Sequence, residues 1–413
     1  MIPKAEILSA AEESGLFPTT IEKDYVLGWV LFAAASHSEL KNWVFKGGTC
    51  LKKCFFDTYR FSEDLDFTVP EDGAYTHTAI EEALAQATRW VEREAGIEFP
   101  PGRLVIEELT NKRGQVTFQV RTSFVGPLRM PKSEIQRIKF DVTQDEIVVD
   151  EPEARSVYHP YSDAPVPIPQ VRCYTLDEIL AEKTRALYER SGRARDVFDI
   201  VNIARNFRDE VSPARARQIL REKFEYKGLP LPSPELIVSG IDPDTLASDW
   251  VNALGHQLAV LPSMEDFLAA LNEALAWWIG EEAPIAAPLA IPGGPDEQPV
   301  PRVRFSGAPQ LGALGGGMVA PVLTGQTAYS SSMDRIRYAS RNRLLARLRY
   351  HGVDRLVEPY ALRLPGTGNV LLYVFEVERG GIPSGSIKAF KVAEISSADV
   401  TVSPFHPRYL VEL

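Results

Sequence analysis

The sequence predicts an α+β protein: a mixed sheet flanked by helices, then a helical lobe, then a separate small β domain. Three observations carry this expectation. Short runs between residues 43 and 143 alternate apolar and polar side chains, the period of a strand. From Thr175 to about residue 280 the apolar residues recur at helical spacing. Residues 281–330 then hold eight prolines and eight glycines, and short strand-like runs divided by Gly and Pro follow. At 413 residues the chain exceeds one domain of roughly 100–200 residues. The expected divisions are 1–170 for the sheet core, 171–280 for the helical lobe, 281–330 for a linker and 331–413 for the last domain.

The first helix covers IEKDYVLGWVLFAAAS, residues 21–36, where Tyr25, Trp29 and Phe32 share a face behind the charged Glu22, Lys23 and Asp24. WVFKGG is a short strand running into a glycine turn, and TCLKKCFF is a helix with Leu51, Cys54 and Phe55 on one side. LDFTV is a strand with Leu65, Phe67 and Val69 on one face, Asp66 and Thr68 on the other. A polar helix follows over 74–95, then strands in RLVIEELT, VTFQVRTSFV and IQRIKFDVT. The last alternates Ile138, Phe140 and Val142 against Lys139 and Asp141. A sheet with one polar face suits a site covered by protein on one side only.

Thr175 opens the helical lobe as a cap, with Glu178 three residues on as in a capping box. TLDEILAEKTRALYER and ARDVFDIVNIARNF are helices interrupted by SGR, and further helices are expected over 212–225, 245–259 and 262–279. The final domain opens with a basic helix, MDRIRYASRNRLLARLRY. Strands follow in LVEPYALRL, NVLLYVFEV, SIKAFKVAEI and SADVTV, as in a small twisted sheet or barrel.

Composition excludes more than it identifies. Apolar residues make up 45% of the chain, enough for a full core. A formal charge of −11 opposes a wholly basic surface while leaving room for a local phosphate-binding groove. Cys50, Cys54 and Cys173 are too few for a disulfide framework, and no histidine pattern completes a structural zinc site. MIPKAEILSAAEE lacks the basic start and apolar run of a signal peptide, and no apolar stretch reaches about 20 residues, so a cytoplasmic protein without membrane partners is expected.

The chemistry concentrates in FKGGTCLKKCFFDTYRFSEDLDF, residues 45–67. Alternation places Asp64 and Asp66 on one strand face, and two carboxylates held together repel unless a divalent cation joins them. Magnesium prefers a few carboxylates supplemented by water and substrate phosphates. Asp141 has the same polar-face position on a later strand, so three carboxylates could hold two metal ions, one for the attacking hydroxyl and one for the leaving phosphates. Amides around Gly47, Gly48 and Thr49 can point at phosphate oxygens, supported by the amino end of the next helix. Lys46 and Ser62 flank them as further candidates for contact with a nucleoside triphosphate. The Walker, Rossmann and kinase patterns are all missing.

In the helical lobe Lys183, Leu187 and Arg190 form one stripe, followed by Arg195, Asp196 and Asp199. The plain reading is an ion-pair network within the helices. The sharper one has Lys183 on the triphosphate, with Arg190 or Arg195 held by Asp196 or Asp199 to stabilise departing pyrophosphate. Lys23 and Asp24 are either helix-opening charges or members of the site.

KGGTCLKK, RFSEDLDF, IKFDVT and EKTRALYERSGRARDVFDI together resemble the nucleotidyltransferase toxins of bacterial abortive-infection and type IV toxin–antitoxin systems. These belong to the DNA polymerase beta-like nucleotidyltransferase superfamily, and IEKDYVLGW is similar to the family's first helix. The resemblance implies a polymerase-beta-like palm with a helical second lobe. It also implies transfer of a nucleoside monophosphate from an NTP to an acceptor hydroxyl, with Mg2+ or Mn2+, and a cognate antitoxin as partner. Gly47, Gly48 and Thr49 match the family's glycine turn, Asp64 and Asp66 its metal pair, Asp141 its third acidic position, and Lys183 and Asp196 its helical motif. Cys50 departs from the small or apolar residue usual there. The acceptor implied is the 3′ end of a tRNA, with Lys52, Lys53, Arg60 and Arg113 to guide its backbone. A protein hydroxyl is the alternative acceptor, and a non-enzymatic nucleic-acid-binding regulator the alternative function.

RLVEPYALRL, LLYVFEV, SIKAFKVAEI and FHPRYLVEL resemble a WYL-type domain, which implies an SH3-like barrel that senses a ligand or nucleic acid. Six arginines from Arg335 to Arg349 beside the single acid Asp334 favour a phosphate-bearing partner there, or a helix docked on an acidic surface.

Overall fold

The computed structural model of the chain describes residues 1–56, 60–111, 114–131, 135–280, 290–291, 297–300, 331–365 and 368–413. Most of the expected linker over 281–330, and Arg113, lie outside them. The described residues form two compact units, one of residues 1–199 and 209–259, the other of residues 200–208, 260–300 and 331–413.

The first unit opens with α1 (Lys4–Ser14), ended by Gly15 in the left-handed region at φ 67°. Next comes α2 (Pro18–Ser36), begun by a proline in its first turn and buried around most of its circumference. The chain then runs through β1 (Val44–Lys46), α3 (Gly47–Cys50) with a π turn over Leu51–Phe55, and β2 (Asp64–Thr68). α4 (His77–Ala95) is capped by Thr76 and leads to β3 (Val105–Thr110), β4 (Val116–Ser123), β5 (Arg137–Thr143), β6 (Glu153–Ser156) and β7 (Gln170–Cys173). α5 (Leu176–Glu189), the first residues of α6 (Ala194–Asn206), whose part from Ile200 on belongs to the second unit, α7 (Pro213–Tyr226), α8 (Pro234–Ser239) and α9 (Pro243–Leu254) complete the series.

The seven strands make one mixed sheet in the order β3-β4-β5-β2-β1-β7-β6. β2 is parallel to β5 and β1 is parallel to β7; the other pairs are antiparallel. Leu65 and Phe67 turn to the apolar side, where Phe67 lies 5.2 Å from the Phe45 ring, while Asp64 and Asp66 take the other face. The strands expected in residues 43–143 are all present; β6 and β7 were not expected, being only four residues each. Thr175 does cap α5, its hydroxyl accepting from the Glu178 amide at 3.2 Å. Glu178 does not return the bond as a capping box would. Its buried carboxylate accepts from the amides of Val149 and Asp150 and pairs with Lys223 at 2.9 Å.

The second unit contains α10 (Met264–Ile279), β8 (Gln298–Pro299), α11 (Ser331–Arg341), β9 (Leu344–Tyr350), β10 (Val353–Leu364), β11 (Leu371–Arg379), β12 (Ile382–Lys391) and β13 (Ile395–Pro404). Its antiparallel sheet runs β12-β11-β10-β9-β13, with β8 added beside β10. Met333 and Ile336 of α11 pack on Leu344, Leu348, Val357 and Leu372.

Two expectations are corrected here. LLARLRY is strand β9, not the continuation of a basic helix. Arg343 at φ 56° ends the helical path, and Leu344, Ala346 and Leu348 then alternate inward at the period of a strand. The SH3-like closed barrel is also not found, because among the described residues β12 and β13 are unjoined edges of an open sheet. Residues Ile382–Gly385 of β12 are exposed on both faces, so that edge has no apolar side to close around. Nor do the six arginines form one patch: Arg341 and Arg343 are buried, with Arg343 donating to the carbonyls of Ser340 and Arg205. Among the described residues no helix is long and apolar enough to cross a membrane.

Candidate functional site

Strand register assembles the site in the first unit. Lys46 on β1 stands opposite Asp66 on β2, Asp66 stands beside Asp141 on β5, and Asp141 stands opposite Gln119 on β4. Asp64, two residues before Asp66, projects on the same face. These groups line a cavity of about 770 Å³, into which Ser62, Lys183, Arg190, Arg195 and Asp196 also reach.

The glycine turn is set by space. At Gly47, with φ 78°, an added Cβ would lie 2.3 Å from Asp66 Oδ2, and at Gly48 it would lie 2.5 Å from Arg60 Nη2. Only glycine lets the backbone pass so close to the carboxylate and the guanidinium. The Thr49 hydroxyl donates to the Asp64 carbonyl oxygen, tying the turn to the carboxylate strand.

The carboxylates differ in their surroundings. Arg195 Nη1 lies 3.3 Å from Asp64 Oδ2. Gln119 Nε2 donates to Asp141 Oδ1 at 3.1 Å, and Lys139 Nζ pairs with its Oδ2 at 2.6 Å. Burial, then the charges of Asp141 and Asp64, push the Asp66 carboxyl up to about 7, against the pull of Lys46. Lys46 is drawn aside by Glu182 at 2.6 Å, and burial of its ammonium is outweighed by Glu182, Glu146 and Asp66, which hold it above its usual range. Glu182 in turn is pulled down to about 2 because Lys46, Lys223 and Arg185 outweigh its burial.

Behind the turn lies a buried ionic knot. Arg60 Nε and Nη2 each meet an Asp199 oxygen at 2.7 Å, and Arg60 Nη1 donates to Gln257 Oε1 at 2.9 Å. Lys183 Nζ lies 2.6 Å from Asp199 and 3.2 Å from Asp196. Burial opposes the Asp199 charge, but Arg60 and Lys183 outweigh it and hold the carboxyl at about 2. Arg190 is 63% exposed and reaches back to within 3.9 Å of Asp196.

All the residues expected in the site are thus brought to one region, Thr49 facing the strand rather than the cavity. The expected RNA guides do not face solvent: Lys52, Lys53 and Arg60 are buried, and of the three Arg60 lines the cavity. Lys53 turns to Asp24 at 2.6 Å, and Lys52 lies over the rings of Phe61 and Tyr158. Lys23 and Asp24 stay outside the cavity, Lys23 pairing with Glu63 and Asp24 accepting from Tyr161. Sequence reasoning missed Glu182, Gln119 and Lys139 as site neighbours. The alternation of Thr117, Gln119 and Arg121 against Phe118 and Val120 was a signal for Gln119; Glu182 had none, because its partner Lys46 is remote in sequence.

Two carboxylates facing an open polar cavity, with no ion pair to Asp66 among the described residues, fit a hard divalent cation that keeps water and phosphate as its other ligands. Asp141 could join once Lys139 turns away.

A model of the family described as "Nucleotidyl transferase AbiEii toxin, Type IV TA system" matches residues 29–275. Among solved structures the chain is similar to MenT4, a nucleotidyltransferase toxin from Mycobacterium tuberculosis H37Rv, with 19% identity and a TM-score of 0.46 over 68% of this chain and 91% of that one. No curated protein matches it significantly.

Proposed function

Because the chain belongs to the AbiEii family of nucleotidyltransferase toxins of type IV toxin–antitoxin systems, we propose that it transfers a nucleoside monophosphate from an NTP to the 3′ end of a tRNA, a cognate antitoxin restraining it. The observation that carries this reading is the placement of Asp64 and Asp66 beside a turn where only glycine fits. In the reaction the acceptor hydroxyl attacks the α-phosphorus, its proton passes to a carboxylate of the Asp64–Asp66–Asp141 group, and pyrophosphate leaves. Asp64 and Asp66 would hold Mg2+ or Mn2+, which when bound supplies charge neutralisation for hydroxyl and phosphates. The amides of Gly47 and Gly48 grip phosphate oxygens. Lys183, kept charged by Asp199 and Asp196, keeps positive charge beside them.

An RNA acceptor is favoured over a protein one by Arg190 and Arg193, 63% and 60% exposed at the cavity mouth. They take the guiding role first expected of Lys52, Lys53 and Arg60.

The test is incubation of the purified protein with each α-labelled NTP, total tRNA and total protein. Label should enter tRNA, be lost with Asp66→Asn, and fall steeply with salt. Label in protein alone, or in nothing, would reject the reading.

A further inference from the structure

Cys50, Cys54 and Cys173 lie apart in sequence and together in space. Cys50 ends α3 immediately after Thr49, Cys54 lies in the π turn that follows, and Cys173 ends β7 beside β1. All three are buried, and their sulfurs lie within 4.8 Å of one another. Thiolates bound to one cation at about 2.3 Å stand about 4 Å apart, so closing the triangle takes shifts of under about an ångström. No histidine, cysteine or carboxylate joins the group as a fourth ligand among the described residues. Zinc in structural sites takes four ligands, whereas Cu(I) is selected by soft thiolates and accepts three.

We propose that Cys50, Cys54 and Cys173 form a three-thiolate site for a thiophilic monovalent cation, Cu(I). Each thiol that binds gives up its proton to solvent, and the metal keeps its oxidation state. Lys53 and Arg155 bring positive charge to Cys54, each also paired with its own carboxylate, Asp24 and Glu153. Loading would fasten β7 to the helix that follows the glycine turn, so the ion would stiffen the wall of the nucleotide cavity without touching substrate. The site stands on the thiol geometry alone and does not depend on the transfer reaction.

The experiment is an anaerobic titration of the reduced full-length protein with Cu(I), supplied as its acetonitrile complex, against a chromogenic Cu(I) chelator. One Cu(I) per chain should be retained, with thiolate-to-copper absorption, a three-sulfur shell by X-ray absorption and a raised thermal transition. Cys173→Ala and Cys54→Ala should each weaken retention by more than about 100-fold, beyond the cost of losing an outer-shell partner, with circular dichroism checking that each variant folds. Zn2+ bound in place of Cu(I), a disulfide formed instead of a metal complex, or copper lost as readily from wild type as from both variants would overturn the proposal. The last result would leave the three thiols as core packing only.

Discussion

Asp66 and Asp141 stand in register on the parallel strands β2 and β5, close enough for the Asp141 charge to burden the Asp66 carboxyl. Such a pair is costly for a fold unless a cation relieves it. Asp66→Asn should therefore lower transfer at least about 100-fold, the scale of losing one charge-stabilising group. It should leave the fold intact, and in EDTA it should raise the melting temperature. Labelled-nucleotide transfer and thermal melts read the two effects separately; a variant that transfers normally would remove Asp66 from the site.

The same carboxyl predicts a pH dependence of stability. Its pKa rises from the ordinary 3.8 to about 7 on folding, so the folded protein binds the proton more tightly than the unfolded chain. This contribution is fully present below 3.8 and is lost as pH rises towards about 7. In EDTA the melting temperature should fall across that window, and Asp66→Asn should flatten the fall. Mg2+ should recover stability most near pH 8, where no proton competes for the site. A wild-type profile unchanged by Mg2+ at pH 8 would count against metal binding there.

Gly47→Ala forces a Cβ to 2.3 Å from Asp66 Oδ2 in a backbone already at φ 78°, and Gly48→Ala crowds Arg60. Both should reduce transfer severely. Gly47→Ala should also weaken Mg2+ binding, because it displaces a proposed ligand, whereas Gly48→Ala should not. Calorimetric Mg2+ titration of the two variants separates them.

Asp199 accepts both arms of Arg60 and the Lys183 ammonium with its side chain fully buried. Asp199→Ala leaves two buried cations short of a partner and should cost about 3–5 kcal/mol of stability, read from urea denaturation. A loss under about 1 kcal/mol would show that the knot relaxes into solvent.

Much of the first sheet was legible because its period is local. Leu65 and Phe67 against Asp64 and Asp66, or Phe140 and Val142 against Lys139 and Asp141, state a strand and its two faces within a few residues. In LLARLRY the same alternation was hidden by a run of arginines that also suits a helix, and only the left-handed Arg343 divides the two. The lysines of LKKC illustrate a different gap. Charge in a sequence suggests solvent, yet the π turn sends Lys53 into the core, where Asp24 compensates it.

By itself the sequence determined five strands of the first sheet, the main helices of the lobe, the glycine turn and the facing of Asp64 and Asp66, since each depends on neighbours within a turn or a pleat. Tertiary structure alone decided that Asp141 stands beside Asp66, that Glu182 holds Lys46, that Asp199 joins Arg60 to Lys183, and that three distant thiols meet. Strand order and helix packing bring together groups separated by tens of residues or more, and local periodicity carries no record of which of them will meet.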